Sequence, residues 1–175
     1  MAKKKAGVIG EEIIFEDFTG EITKEIENII LIWLEESASE LESQTKTRTG
    51  TGAYYREIAD SWKHTIDKSK YEAIIGSHLE NALWVEYGTG EYALNGDGRK
   101  DWWVFIEGSS GISDNESKHY KTKEEAKRTV AYLRSKGIPA GYTRGQLPKR
   151  PMHYAFSQNE KPIKEELKSK LGNMK

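Results

Sequence analysis

The stretch "EITKEIENIILIWLEESASEL", Glu21–Leu41, decides the architecture. Ile22, Ile26, Ile29, Ile30, Trp33, Leu34, Ala38 and Leu41 recur at steps of three and four, while glutamates fill the positions between them. That period is the stripe of an amphipathic α-helix. The pattern holds from Gly20 to about Lys46, which predicts a helix roughly 40 Å long at 1.5 Å per residue. A helix of that length in a chain of 175 residues leaves room for one domain with a modest core.

Working outward, "EEIIFEDF" before the helix reads as a short strand or an arm. After it, "TKTRTGTG", Thr45–Gly52, has the threonines and glycines of a loop. "SWKHTID" and "YEAIIGS" read as two strands around a "DKSK" turn. "NALWVEYG" is compatible with a strand or with a helical turn, and "DWWVFIEG" is the strongest strand in the chain. "SSGISDNES" is a polar connection. "TKEE" is a capping box, with Thr122 as N-cap and Glu125 at N3, and it predicts a helix ended by Gly137 and Pro139. "GYTRGQLPKRP" reads as extended or looped, and a last helix starts near Met152, with Pro162 expected to open a new helical segment. The expected fold class is therefore α+β: a long N-terminal helix and a C-terminal helix packed on a small antiparallel sheet, with one inserted helix. The expected layout is an arm at 1–19 and a single domain at 20–175, with an inserted loop and helix at about 109–141.

Composition narrows the function classes. Basic residues number 27 against 28 acidic, for a formal net charge of −1, so no global field draws the chain to nucleic acid or an anionic membrane. There is no cysteine, which excludes disulfides, thiolate metal sites and cysteine nucleophiles. The opening "MAKKKAGVIGEE" has no apolar run behind its basic patch, so no secretory signal is expected. The longest apolar run, Ile29–Leu34, is far short of the ~20 residues a bilayer needs, so a soluble protein without membrane contact is expected.

The chemistry-bearing candidate is "VEYGTGEYALNGDGRKDWW", Val85–Trp103. It fails as a phosphate loop, because Asp97 rather than Lys-Ser/Thr follows Gly96. It fails as a dinucleotide fingerprint, because Ala93 occupies the third glycine position. It fails as an EF-hand loop, because Arg99 and Lys100 stand where oxygen ligands belong. Glu80, Glu86, Glu91, Asp97 and Asp101, with Lys100 nearby, leave open a divalent-metal nuclease or nucleic-acid-binding domain. The bland alternative is that an acid-rich chain puts several carboxylates near any loop. His64, His78, His119 and His153 are scattered without metal-ligand spacing. Trp102, Trp103, Phe105, Tyr120, Tyr132 and Tyr142, beside Arg99, Lys100, Arg144, Lys149 and Arg150, suit either an aromatic base- or glycan-stacking face or an ordinary sheet core. The span from "WVFIEG" to "KTKEEAKRTVAYLRSKGIPA" is faintly similar to one strand and one helix of cell-wall-glycan-binding SPOR repeats.

Four landmarks in chain order are more specific together: "TGTGAYYREIADSW", "YEAIIGSHLENALWVEYGTG", "GDGRKDWWVF" and "YTRGQLPKRPMHYAF". From about Gly20 to Leu171 their order resembles tailed-bacteriophage minor tail components of the head–tail joining or tail-completion type. The chain departs from that pattern at Met152, His153 and Tyr154, where the family has phenylalanine and a second proline, and in its extra helix before Tyr142. The resemblance implies a structural role at the neck of the virion, assembled in the host cytoplasm, with no catalytic residue, cofactor or metal. The implied partners are connector or head-completion proteins on one side and tail-tube or tail-terminator proteins on the other. A homo-oligomeric ring, without sequence-specific nucleic acid, is also implied. The residues implied to build or flank the interface are Glu86, Tyr87, Gly88, Thr89, Gly90, Arg99, Trp102, Arg144, Gly145, Arg150 and Pro151. Glu86 is expected to pair with Lys149 or Arg150. The loops Thr45–Ala53 and Tyr92–Asp101 are expected to be adaptable, and the basic residues of the inserted helix to make a rim contact.

Overall fold

The computed structural model describes residues 19–107 and 119–173. The expected N-terminal strand or arm and the "SSGISDNES" connection lie outside them. Among the described residues five α-helices and two small antiparallel sheets give an α+β architecture. The helices are α1 Thr19–Thr49, α2 Ala53–Ser61, α3 Glu80–Tyr87, α4 Lys123–Ser135 and α5 Pro151–Gly172. β1 Lys63–Asp67 and β2 Glu72–Gly76 form a hairpin, and β4 His119–Tyr120, β3 Trp102–Ile106 and β5 Ala140–Thr143 form the second sheet in that order. Among the described residues no helix is long and apolar enough to cross a membrane.

The chain divides into two compact units. The first takes α1 up to Ser43, the β1–β2 hairpin and α5 from Phe156 onward. Ala38 and Leu41 are buried on α1. The Trp33 indole N–H donates to the Ile163 carbonyl at 3.0 Å, and Lys170 pairs with Glu36 at 2.8 Å, so α5 is tied to α1 at two levels. α5 continues through Pro162. The expectation of a new segment there is corrected: the helix tolerates a residue without an N–H, at a cost of about 3 kcal/mol.

The hairpin is held to α1 by His64. Its backbone N–H donates to Glu42 at 2.9 Å, its Nδ1 lies 2.6 Å from the same carboxylate, and its Nε2 lies 3.2 Å from Glu35. Burial opposes the charged ring, but hydrogen bonds and charge from Glu35 and Glu42 outweigh it, so the His64 pKa is raised above 6.5. A raised folded-state pKa stabilises fully below the unfolded value and loses that contribution as pH rises through the folded value. Urea midpoints should therefore fall more between about pH 5.5 and pH 8.5 for wild type than for His64→Gln. Equal pH dependence in the two chains would count against the clamp.

The second unit holds residues 44–62 and 77–155. Ile58, Trp62, Ala82 and Val85 form its buried cluster, flanked by Tyr55 and Met152. Two sequence expectations are corrected here. Thr45–Thr49 is the last turn of α1, not a loop, and the loop is reduced to Gly50–Gly52. "AYYREIADS" is helix α2, not the approach to a strand. The first difference has a tertiary cause. Thr45 and Thr49 are fully buried, and the Thr49 hydroxyl donates to the Thr45 carbonyl at 2.8 Å while accepting from the Trp62 indole at 3.0 Å. That tertiary engagement overrides the weak helix propensity of threonine. Thr49→Val should cost about 1–2 kcal/mol by orphaning the Trp62 N–H. Thr23→Val, at an exposed hydroxyl bonded only to its own helix, should cost under about 0.5 kcal/mol by the same urea measurement.

"NALWVEYG" resolves as helix α3. α4 follows the capping box as read: the Thr122 hydroxyl accepts from the Glu125 N–H, and the Glu125 carboxylate accepts from the Thr122 N–H. Ala126 and Val130 face inward, with α4 packed on β3, β4 and β5. The β3–β5 register pairs Trp103 with Thr143 and Phe105 with Gly141, so the Phe105 ring lies where a side chain at 141 would stand.

Candidate functional site

The residues singled out in the glycine-rich stretch and in "YTRGQLPKRP" meet in the second unit. α3 presents Val85 and Glu86 inward and Leu83, Trp84 and Tyr87 outward. Gly88 caps it, donating to the Trp84 carbonyl at 2.9 Å. The chain then runs beside residues 144–149. Thr89 N–H donates to the Gln146 carbonyl, and Gln146 N–H donates to the Thr89 hydroxyl, each at 2.9 Å. Glu91 N–H donates to the Arg144 carbonyl at 2.8 Å, and the two side chains form an ion pair. Lys149 and Arg150 N–H groups both donate to the Val85 carbonyl, at 2.8 and 3.3 Å.

The approach is as close as backbone allows. Gly90 has φ +60°, and a Cβ there would collide with the Arg144 carbonyl and come within 2.6 Å of the Trp103 ring. Gly145 faces the Thr89 carbonyl just as closely. The G-T-G turn and the T-R-G turn are thus two halves of one clasp, and glycine is required where they cross.

Glu86 closes the clasp. It is 6% exposed, and its two carboxylate oxygens accept from the Met152 N–H at 2.9 Å and the His153 N–H at 3.0 Å. These are first-turn amides of α5, which have no partner inside the helix, and the positive end of the helix dipole favours a carboxylate there. The expected side-chain pairing with Lys149 or Arg150 is replaced by this backbone cap. Arg150 takes φ +53° and its guanidinium lies 5.8 Å from the Tyr154 ring, while Pro151 starts the helix, a position that needs no N–H. Lys149 performs the mirror task. Its ammonium donates to the Thr49 carbonyl at the C-terminus of α1 at 2.9 Å and lies 3.3 Å from the Tyr55 ring centroid. No sequence signal links Lys149 to Thr49 and Tyr55. A lysine beside Arg-Pro at a helix start says nothing of a carbonyl about a hundred positions away.

Arg99 and Trp102 sit at the edge of the clasp. The Arg99 guanidinium lies 5.2 Å from the Trp103 ring centroid. Trp102 packs against Tyr142 at 5.7 Å, with Arg144 at 5.3 Å and Lys123 at 5.8 Å from its ring. Three of the five carboxylates named for metal chemistry are engaged elsewhere: Glu86 by amides, Glu91 by Arg144, and Asp101 within 3.9 Å of His119. Among the described residues no three acidic or histidine side chains form a group that would hold a metal ion.

Beside the clasp lies an apolar surface. Leu83, Trp84, Tyr87 and Leu94 are all exposed, and Leu94 is brought next to α3 by its N–H bond to the Tyr87 carbonyl at 3.0 Å. What the arrangement offers chemically is a rigid joint carrying apolar and aromatic groups outward. Comparison of the chain with protein families, curated proteins and solved structures found no match.

Proposed function

We propose that this chain is a structural virion-assembly protein of a tailed bacteriophage, acting at the head–tail junction as a joining or tail-completion component. It works by protein–protein contact in a ring and carries out no catalysis. Its partners are the connector or head-completion protein on one side and the tail-tube or tail-terminator protein on the other. It resides in the host cytoplasm before incorporation and in the virion afterwards. The observation that carries the reading is the clasp. The landmarks "VEYGTG" and "YTRGQLPKRP", which gave the resemblance to that family, lock to each other, and Glu86 is committed to backbone amides. A signature of glycine, carboxylate and proline used to set backbone geometry suits a part that must hold shape under assembly. The exposed Leu83, Trp84, Tyr87 and Leu94 suit a surface that gains burial only in a complex.

The test is deletion of this reading frame from its parent phage or prophage, followed by electron microscopy of the lysate. Filled heads and separate tails, restored to whole virions by the expressed protein, are expected. Intact virions in normal numbers would sink the proposal, and assays of nuclease activity with magnesium or manganese would then take precedence.

A further inference from the structure

The two units carry opposite charge. Among the described residues the first has twelve acidic side chains against eight basic, and the second has ten acidic against fourteen basic. The imbalance concentrates on two outward helix faces. On α1, Glu25, Ile32 and Glu36 share one face by helical spacing, and Ile32 is 55% exposed. The same helix continues into an open groove lined by Glu35, Glu36, Ser39, Glu40 and Ser43. Glu36 is paired with Lys170 and Glu35 with His64, so this surface is already partly neutralised and yet remains acidic. On α4, Arg128, Tyr132 and Lys136 follow at steps of four, opposite buried Ala126 and Val130. Tyr132 is 62% exposed, and the Lys136 ammonium lies 5.8 Å from its ring centroid. Arg128, like Lys127 at its flank, makes no ion pair among the described residues, although Glu124 stands one turn before it.

Each face therefore has one exposed apolar centre between two charges of one sign, Glu25 and Glu36 about Ile32 and Arg128 and Lys136 about Tyr132, with Lys170 beside Glu36 and Glu124 beyond Arg128 as the opposing charges. With the two centres in contact, in either helix direction, Glu36 stands level with one of the two basic residues, and Glu25 lies about one turn beyond the other, an offset of about 4.5 Å that the long side chains bridge. From this complementarity we infer that the α1 face of one copy docks on the α4 face of a second copy, with Ile32 against Tyr132. Glu25 and Glu36 then meet Arg128 and Lys136. The two faces are different, so the contact is heterologous and each copy keeps one of each kind free for the next. Burying Ile32 and Tyr132 supplies affinity, and the charges supply orientation and reject α1–α1 and α4–α4 pairing. This contact deepens the proposed assembly role by naming the copy-to-copy faces, and it rests on that reading only for its biological setting.

Two charge-reversal chains test it. One carries Arg128→Glu and Lys136→Glu; the other carries Glu25→Lys and Glu36→Lys. All four sites are exposed. By circular dichroism the first variant should melt near wild type, while Glu36→Lys in the second gives up the exposed pair with Lys170 and should lower the melting temperature by a few degrees with a cooperative transition retained. By sedimentation at near-millimolar concentration wild type is expected to self-associate, either variant alone to be monomeric, and their equimolar mixture to associate again. A monomeric wild type, undiminished association of either variant, or a mixture that stays monomeric would each overturn the contact. So would an Arg128- and Lys136-dependent retention of duplex DNA by a monomeric wild type, which would make α4 a nucleic-acid face. Complementation of the deleted phage separates the two proposals. Variants that restore virions alone would overturn the contact and leave the junction role standing. Self-association as expected, with intact virions in the deletion, would remove the junction role and leave the contact.

Discussion

Replacing Glu86 by alanine is expected to lower unfolding free energy by about 3 kcal/mol, because two charge-assisted hydrogen bonds disappear at once. The carboxylate spans the Met152 and His153 amides from a site that is 6% exposed, so water does not readily replace it. Glu86→Gln keeps one acceptor oxygen but turns an amide N–H₂ toward the other donor, and should lose about half as much. Glu72→Ala, on an exposed strand position, should change stability by under about 0.5 kcal/mol. Urea unfolding with a common slope is the measurement. A wild-type midpoint for Glu86→Ala would mean that the carboxylate does not hold α5. The loss should also appear in phage complementation, since the cap sets where the "KRP" segment leaves the clasp.

Gly90→Ala is expected to be worse, costing at least about 3 kcal/mol and reducing the yield of folded protein, since backbone strain and overpacking add. The new methyl would be driven into the Arg144 carbonyl, a backbone atom that cannot rotate away, and against the Trp103 ring. The internal control is Gly96→Ala in the same loop. Gly96 also has positive φ, at +74°, but nothing lies within 4 Å of its added Cβ. Only the conformational penalty of about 1–2 kcal/mol should be seen there. The difference between the two midpoints therefore isolates the close approach from the dihedral. If Gly90→Ala and Gly96→Ala are equally destabilised, the clasp is looser than its geometry indicates.

The reach of sequence reading differs from element to element. α1 was legible because eight apolar residues keep one period over six turns, and α4 because Thr122, Glu125 and Gly137 mark its ends chemically. The hairpin was legible from alternation around "DKSK". α2 was not, because Tyr54 and Tyr55 look like strand formers, although Tyr55, Ile58 and Trp62 do keep helical steps. Pro162 misled for the opposite reason: a strong local breaker lost to the packing of α5 on α1. In the candidate site, Glu86 and the two glycine turns could be named from their residue types, but not what they touch.

By itself the sequence determined what is local and periodic in this protein: an α+β chain, a long amphipathic first helix, a capped inserted helix, and glycines where the backbone must turn. Side-chain period and capping chemistry are properties of neighbouring residues, so they survive without any tertiary knowledge. Only the tertiary structure decided that "VEYGTG" meets "YTRGQLPKRP", that Glu86 caps α5 through backbone amides, and that Lys149 closes α1 at Thr49. Those partners lie roughly sixty to a hundred positions apart, and a backbone N–H or carbonyl is the same in every residue. Nothing in the letters of the chain marks which of them will be left unpaired at a helix end, and it is the packing of the second unit that selects them.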